Sequence, residues 1–277
     1  MSCKTGFNSF QLKLIALILM TFDHIHYFGS TITVMPAWLH ILGRISAPLF
    51  LFILAQGMYY TSNRFKYLLR LYLASLLMAI GNILMNDYFP LPGNAVIINN
   101  IFATMFLCGI YICAIEWMAQ GIKQKQSKAF SRGLLFFLLP IISTVLMLVL
   151  VTTQTDISAV RLLFIRSIAL LIPSPLFVEG SVAWILLGVA FYFLRSHKTG
   201  LTVFYSLLSL FFLYQAAADG ITLVNLFVNN PQWFMIAALP FMLLYNQQKG
   251  RSMKYLFYLY YPLHIYVLAL LAHLAAS

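Results

Sequence analysis

Long apolar runs broken by short polar connections organise this chain from end to end. The runs fall at about 12–30, 38–60, 67–86, 99–119, 133–152, 179–194, 201–218, 231–246 and 254–273. A helix rises about 1.5 Å per residue and a bilayer core is about 30 Å thick, so such runs read as membrane-spanning helices. Between them lie two alternating sets of connections. TSNRFK, KQKQSK, RSHK and NQQKGRSMK form one set; NDYFPLPGN, TTQTDIS and FVNNPQ form the other. The segment 159–172, AVRLLFIRSIALLI, is apolar but short, carries Arg161 and Arg166, and ends in PSP. A half-inserted helix on the outer side suits it, because a tenth crossing would put RSHK outside. The expected fold is therefore all-α: a polytopic membrane helix bundle of nine to ten spans, in a single domain over residues 1–277.

Composition agrees with this pattern. The chain is 62% hydrophobic and only 8% charged, whereas a soluble domain carries about 25% charged residues. Only a bilayer can act as solvent for so much apolar surface. The net charge of +11 does not point to nucleic acid, because the cations sit in short connections. They suit topology and attraction to anionic lipid or a phosphorylated ligand. Lys4, Arg64, Lys66, Lys123, Lys125, Lys128, Arg132, Arg195, Lys198, Lys249, Arg251 and Lys254 fall in the first set or the N-terminal tail, while 31–37, 87–98 and 219–230 hold no Lys or Arg. By the positive-inside rule the N-terminus is cytoplasmic and the C-terminus outside. Trp38, Tyr60, Trp117, Tyr192, Trp233 and Tyr245 lie near span ends, as interfacial aromatics do. Cys3, Cys108 and Cys113 make no disulfide framework or CxxC motif.

Polar residues inside the spans carry the candidate chemistry. Asp23 and His24 lie roughly 16–18 Å along the first span, Arg44 about 9 Å in from the outer end of the second, and His264 about 15 Å along the last. Ionisable groups at such depths face a cavity or one another. Asp23 and His24 are about 100° apart on a helix, so their side chains diverge. Arg44 is the natural partner for Asp23. His24 and His26 are about 200° apart and cannot close on one metal ion, and no HExxH is present. Lys13 precedes His24 by three helical turns and shares its face, which would suit a ligand with a phosphorylated head and a reactive tail.

LKLIALILMTFDHI (12–25), GRISAPLFLFILAQG (43–57), TSNRFKYLLRL (61–71), NNIFATMF (99–106), LPFMLLYNQQKG (239–250) and KYLFYLYYPLHI (254–265) resemble the TraX family. The pattern Lys13-x10-His24 is also similar to that of the broader transmembrane acyltransferases. Gln56 stands where many relatives are expected to carry Glu, so no acidic role transfers there. The resemblance implies acetylation with acetyl-CoA as donor and His24 as the catalytic histidine. Asp23, Arg44 and His264 would complete the polar site, and Lys13, Arg64, Lys66 and Arg70 would hold the donor phosphates. The acceptor would be an amine or a hydroxyl, such as a pilin-like N-terminus or an envelope molecule, at a bacterial-type cell membrane. Two other classes fit the same residues: a proton-coupled transporter or flippase using Asp23, His24, Arg44 and His264 as a relay, and an assembly factor in which the cluster is structural.

Overall fold

The computed structural model describes residues 6–152, 159–218, 220–252 and 254–276. Cys3, Lys4, most of the TTQTDIS connection and the side chains of Arg161 and Lys254 lie outside the described residues. Among the described residues the α-helices are α1 (Ser9–Gly29), α2 (Ala37–Gly43), α3 (Ser46–Tyr60), α4 (Arg64–Tyr88), α5 (Ile101–Lys123), α6 (Ser127–Thr152), α7 (Ala159–Leu171), α8 (Ser181–Leu194), α9 (Lys198–Ala218), α10 (Leu239–Leu243) and α11 (Lys254–Ala276). Extended pairing among the described residues is limited to one bridge between Phe7 and Tyr245.

The chain is an all-α, multi-pass membrane protein. Among the described residues, seven helical stretches are long and apolar enough to cross a bilayer: Ser9–Gly29, Ala37–Tyr60, Arg64–Tyr88, Ile101–Lys123, Ser127–Leu150, Lys198–Ala218 and Tyr255–Ala276. That is fewer than the nine to ten spans read from the apolar runs. The run at 179–194 yields only the 14-residue α8, about 21 Å long. The run at 231–246 begins as eight residues of 3-10 helix, Pro231–Ala238, and continues as the short α10. Pro231 and Pro240 supply no backbone N–H there, which favours short helical pieces over one regular span. At 13 residues, α7 is about 20 Å long and falls short of a crossing. Many large apolar side chains face outward, among them Leu77, Leu186, Leu207 and Leu259, as a hydrocarbon solvent allows.

The chain forms two compact units. One comprises Met1–Gln56, Leu84–Ile97 and Phe193–Ser277; the other comprises Gly57–Ile83 and Ile98–Tyr192.

In the first unit α1 packs on α2 and α11. Asn8 and Gln11 start α1 with a reciprocal capping box, both bonds at 2.9 Å. Contacts between α1 and α11 occur in the same order along both helices: Lys13 with Phe257, Thr21 with Tyr260, His24 with His264. The first and last helices therefore run parallel. Between α2 and α3 the second span breaks at Arg44 and Ile45. Pro48 explains the break: it has no N–H to return to the Arg44 carbonyl four residues earlier. The Ser46 hydroxyl, just past the break, donates to the Ala16 carbonyl of α1 at 2.8 Å. Elsewhere in this unit the fully buried Tyr205 of α9 donates its hydroxyl to the Met235 carbonyl at 2.6 Å.

In the second unit α5 packs closely on α6. A Cβ at Gly133 of α6 would come within 3.0 Å of the Ala114 carbonyl and of Met118 on α5, so glycine permits the approach. Cys108, Ile112 and Ala114 on α5, with Leu187 and Phe191 on α8, are wholly buried.

Candidate active site

Two faces of α1 present polar groups to two different neighbours. Residues seven apart lie nearly in line on a helix. Ala16 and Asp23 form one such row; the carbonyl of Ala16 meets Ser46, and the side chain of Asp23 meets α2 and the turn after it. Lys13 and His24 mark the other row, turned toward α11.

On the second row His24 and His264 are both buried, and His24 Nδ1 lies 2.6 Å from His264 Nε2. The ring centroids are 4.9 Å apart and the planes differ by 21°. With so short a nitrogen separation, the bond runs close to the plane of both rings. The second nitrogen of His264, Nδ1, lies 2.8 Å from the Tyr260 carbonyl. A carbonyl only accepts, so His264 Nδ1 carries a proton and donates it. In the neutral pair His264 Nε2 is then an acceptor, and His24 Nδ1 must be the donor. The remaining nitrogen of His24, Nε2, holds the lone pair. Partners on α11 thus assign the tautomer of a histidine on α1.

Tyr260 grips His264 a second time through its ring, stacked at 5.0 Å and 16°. Its hydroxyl lies 2.9 Å from that of Thr21, whose own proton goes to the Leu17 carbonyl at 2.9 Å, so Tyr260 is the donor. Pro262 lies inside α11. The carbonyl it deprives of an N–H is that of Tyr258, four residues earlier; His264 uses the Tyr260 carbonyl instead. Phe28 and Tyr261 approach the His24 ring edge-on, with centroids at 6.3 and 6.2 Å. Lys13 holds its ammonium 5.5 Å from the centre of the Phe257 ring.

On the first row Arg44 Nη2 lies 2.6 Å from both oxygens of Asp23, and His40 Nδ1 lies 2.9 Å from Asp23 Oδ1. Arg44 also donates from Nη1 to Gln232 Oε1 at 3.3 Å. His26 stacks on His40 at 5.0 Å and 22°. Asp23 and Arg44 therefore pair as their depths suggest, with His40 and Gln232 added.

The four cations proposed for donor phosphates are divided. Lys13 belongs to the first unit; Arg64, Lys66 and Arg70 belong to the second. Lys66 and Arg70 are exposed. Arg64 turns inward and pairs with Glu116 of α5, while its Nη2 donates to the Tyr192 hydroxyl at 2.7 Å. Tyr192 in turn donates to Glu116 Oε1 at 2.5 Å. Tyr192 is therefore a buried hydrogen-bonding residue. Among the described residues no three His, Cys, Asp or Glu side chains gather in a way that could hold a metal ion.

The TraX protein family model matches residues 9–272. The chain belongs to the TraX family. Over 72 residues this TraX family member is 40% identical to the probable fimbrial assembly protein FimC, serogroup H1, of Dichelobacter nodosus. That match covers 26% of this chain and 30% of the relative's length. No solved structure matches the chain. The family match runs from α1 into α11 and so includes both helices that supply the histidine pair.

Proposed function

We propose that this TraX family member is a membrane-embedded acetyltransferase that moves an acetyl group from cytoplasmic acetyl-CoA to an amine or hydroxyl, with His24 as general base. The observation that carries the reading is the chain Tyr260 carbonyl–His264–His24, which leaves the lone pair on His24 Nε2. A neutral imidazole oriented by a second hydrogen-bonded group is the arrangement general-base catalysis requires. His24 Nε2 takes the proton from the acceptor as its nitrogen or oxygen attacks the thioester carbonyl. The carbon–sulfur bond then breaks, and the imidazolium returns its proton to the leaving thiolate. His264 is a positioning residue in this scheme and Arg44 holds Asp23. Lys13, on the His24 face about 16 Å nearer the start of α1, is the proposed contact for a donor phosphate. Arg64, engaged by Glu116, serves structure. The charge pattern supports a cytoplasmic N-terminus and an external C-terminus in a bacterial-type cell membrane. The fimbrial assembly role named for the FimC relative supports a pilus-related acceptor, such as a subunit's N-terminal amine.

The test is binding and transfer of labelled acetyl-CoA by purified protein in lipid, with His24→Ala alongside. Wild type should bind and transfer, and His24→Ala should bind without transferring. Wild-type protein that neither binds nor transfers acetyl-CoA would remove the enzyme reading. Proton-coupled transport in liposomes, lost on changing either histidine, would put a transporter in its place.

A further inference from the structure

We infer that Asp23, Arg44 and His40 form a positioning clamp that sets the rotation of α1 and so turns His24 onto His264; this rests on the acetyltransferase reading for its consequence, though not for its geometry. Asp23 and His24 are consecutive, so about 100° of helix rotation separates their side chains. Fixing one direction fixes the other. Asp23 is fixed firmly: both oxygens accept from Arg44 Nη2 at 2.6 Å, and Oδ1 also meets His40 Nδ1 at 2.9 Å. Arg44 is held in turn, by Nε donating to the His40 carbonyl at 3.4 Å and Nη1 to Gln232 at 3.3 Å. Two turns earlier on the same row, Ser46 donates to the Ala16 carbonyl at 2.8 Å, so the row is tied at two heights.

Gly43 completes the clamp. A Cβ at that position would lie closer than 3.0 Å to the Cβ, Cγ and Oδ1 of Asp23. The backbone of α2 thus meets the Asp23 side chain at a distance that only glycine permits. Any side chain here would push Asp23, and with it α1, away from α2. The acid in the first span and the Gly-Arg pair in the second are therefore one device, whose product is the direction of a neighbouring imidazole. Both oxygens of Asp23 are engaged in this pairing, so its task is to position His24 and not to accept a substrate proton.

A 15N–15N coupling across the bond between His24 Nδ1 and His264 Nε2, in protein labelled with [15N]histidine, reads the clamp directly and needs no acetyl transfer. Wild type should show the coupling. Asp23→Asn and Gly43→Ala should lose it, and transfer should fall about 100-fold, as about 1 Å of misplacement commonly costs. The Michaelis constant for acetyl-CoA should stay unchanged. Gly43→Ala keeps every charge, so it answers the question where Asp23→Asn does not fold. Coupling that persists in either folded variant overturns the clamp, as does its absence from wild type. Coupling that follows this pattern in a protein without acetyl transfer upholds the clamp and removes the acetyltransferase reading.

Discussion

His24 on α1 and His264 on α11 are joined ring nitrogen to ring nitrogen at 2.6 Å, and the far nitrogen of His264 is committed to the Tyr260 carbonyl. The bond therefore has a direction: His24 donates and His264 accepts. Removing the acceptor tests this direction. His264→Ala leaves the Nδ1 proton of His24 without its acceptor in a buried site, a loss of about 1–3 kcal/mol. It also frees the imidazole to take the other tautomer, with the proton on Nε2. Transfer should fall by about 10²-fold or more, while the dissociation constant for acetyl-CoA stays within about twofold. Steady-state kinetics beside equilibrium binding separates the two effects.

Tyr260 supplies the His264 grip through its carbonyl, and its hydroxyl serves a different contact, with Thr21. Tyr260→Phe keeps the carbonyl and the stacked ring and removes only the hydroxyl bond. It should cost about 1 kcal/mol of stability and leave transfer within a few-fold of wild type. Thr21→Val should do the same. A thermal unfolding series with matched activity measurements checks both, and a loss of transfer comparable to that of His264→Ala would show that the hydroxyl takes part in the relay.

How much of this was legible in the sequence differs from residue to residue, and the differences have physical causes. The pairing of Asp23 with Arg44 follows from opposite charges at similar depth, because a bilayer leaves each little alternative. The divergence of Asp23 and His24 follows from helix geometry alone. His40 carries a weak cue, standing four residues before Arg44 on the same helical face. Gln232 carries none, since its approach depends on a 3-10 segment that hydropathy cannot distinguish from a span. The Tyr260 contribution comes from a backbone carbonyl, and no side-chain pattern reports that. Glu116 is different: an acid within an apolar run is as conspicuous as Asp23, and its depth near Arg64 and Tyr192 was open to the same arithmetic. Span number was the least legible feature, because apolar runs measure hydrophobic length and not helix length.

Arg64, Glu116 and Tyr192 close a hydrogen-bonded triangle in the second unit. Arg64 and Glu116 are each about one-third exposed, at 34% and 33%, so solvent screens part of the pair. Arg64→Ala should lower stability by about 1–2 kcal/mol, because it leaves the Glu116 carboxylate with the Tyr192 hydroxyl alone from this triangle. Its effect on acetyl-CoA affinity should be smaller than that of Lys13→Ala. Chemical denaturation in detergent and isothermal binding of acetyl-CoA check the two halves. A larger affinity loss in Arg64→Ala than in Lys13→Ala would return Arg64 to the donor-phosphate site.

The parallel course of α1 and α11 makes a topological prediction that does not depend on counting spans. Contacts at Lys13–Phe257, Thr21–Tyr260 and His24–His264 run in one order, so both helices begin on one side of the bilayer. Any arrangement that crosses with both must then make an odd number of crossings and put the two chain ends on opposite sides. The seven long apolar stretches satisfy that parity, and so does the nine-span reading. The cation-poor turn after α1 should be external, and the RSHK turn before α9 cytoplasmic where α8 also crosses, as in the nine-span reading. In a background with serine at Cys3, Cys108 and Cys113, Thr33→Cys should react with a membrane-impermeant maleimide in intact cells, as should Ala276→Cys. Ser196→Cys should react only after the membrane is opened. Labelling of Ser196→Cys in intact cells beside Thr33→Cys and Ala276→Cys would leave seven crossings in place of nine, and labelling of Thr33→Cys without Ala276→Cys would overturn the parallel crossing itself.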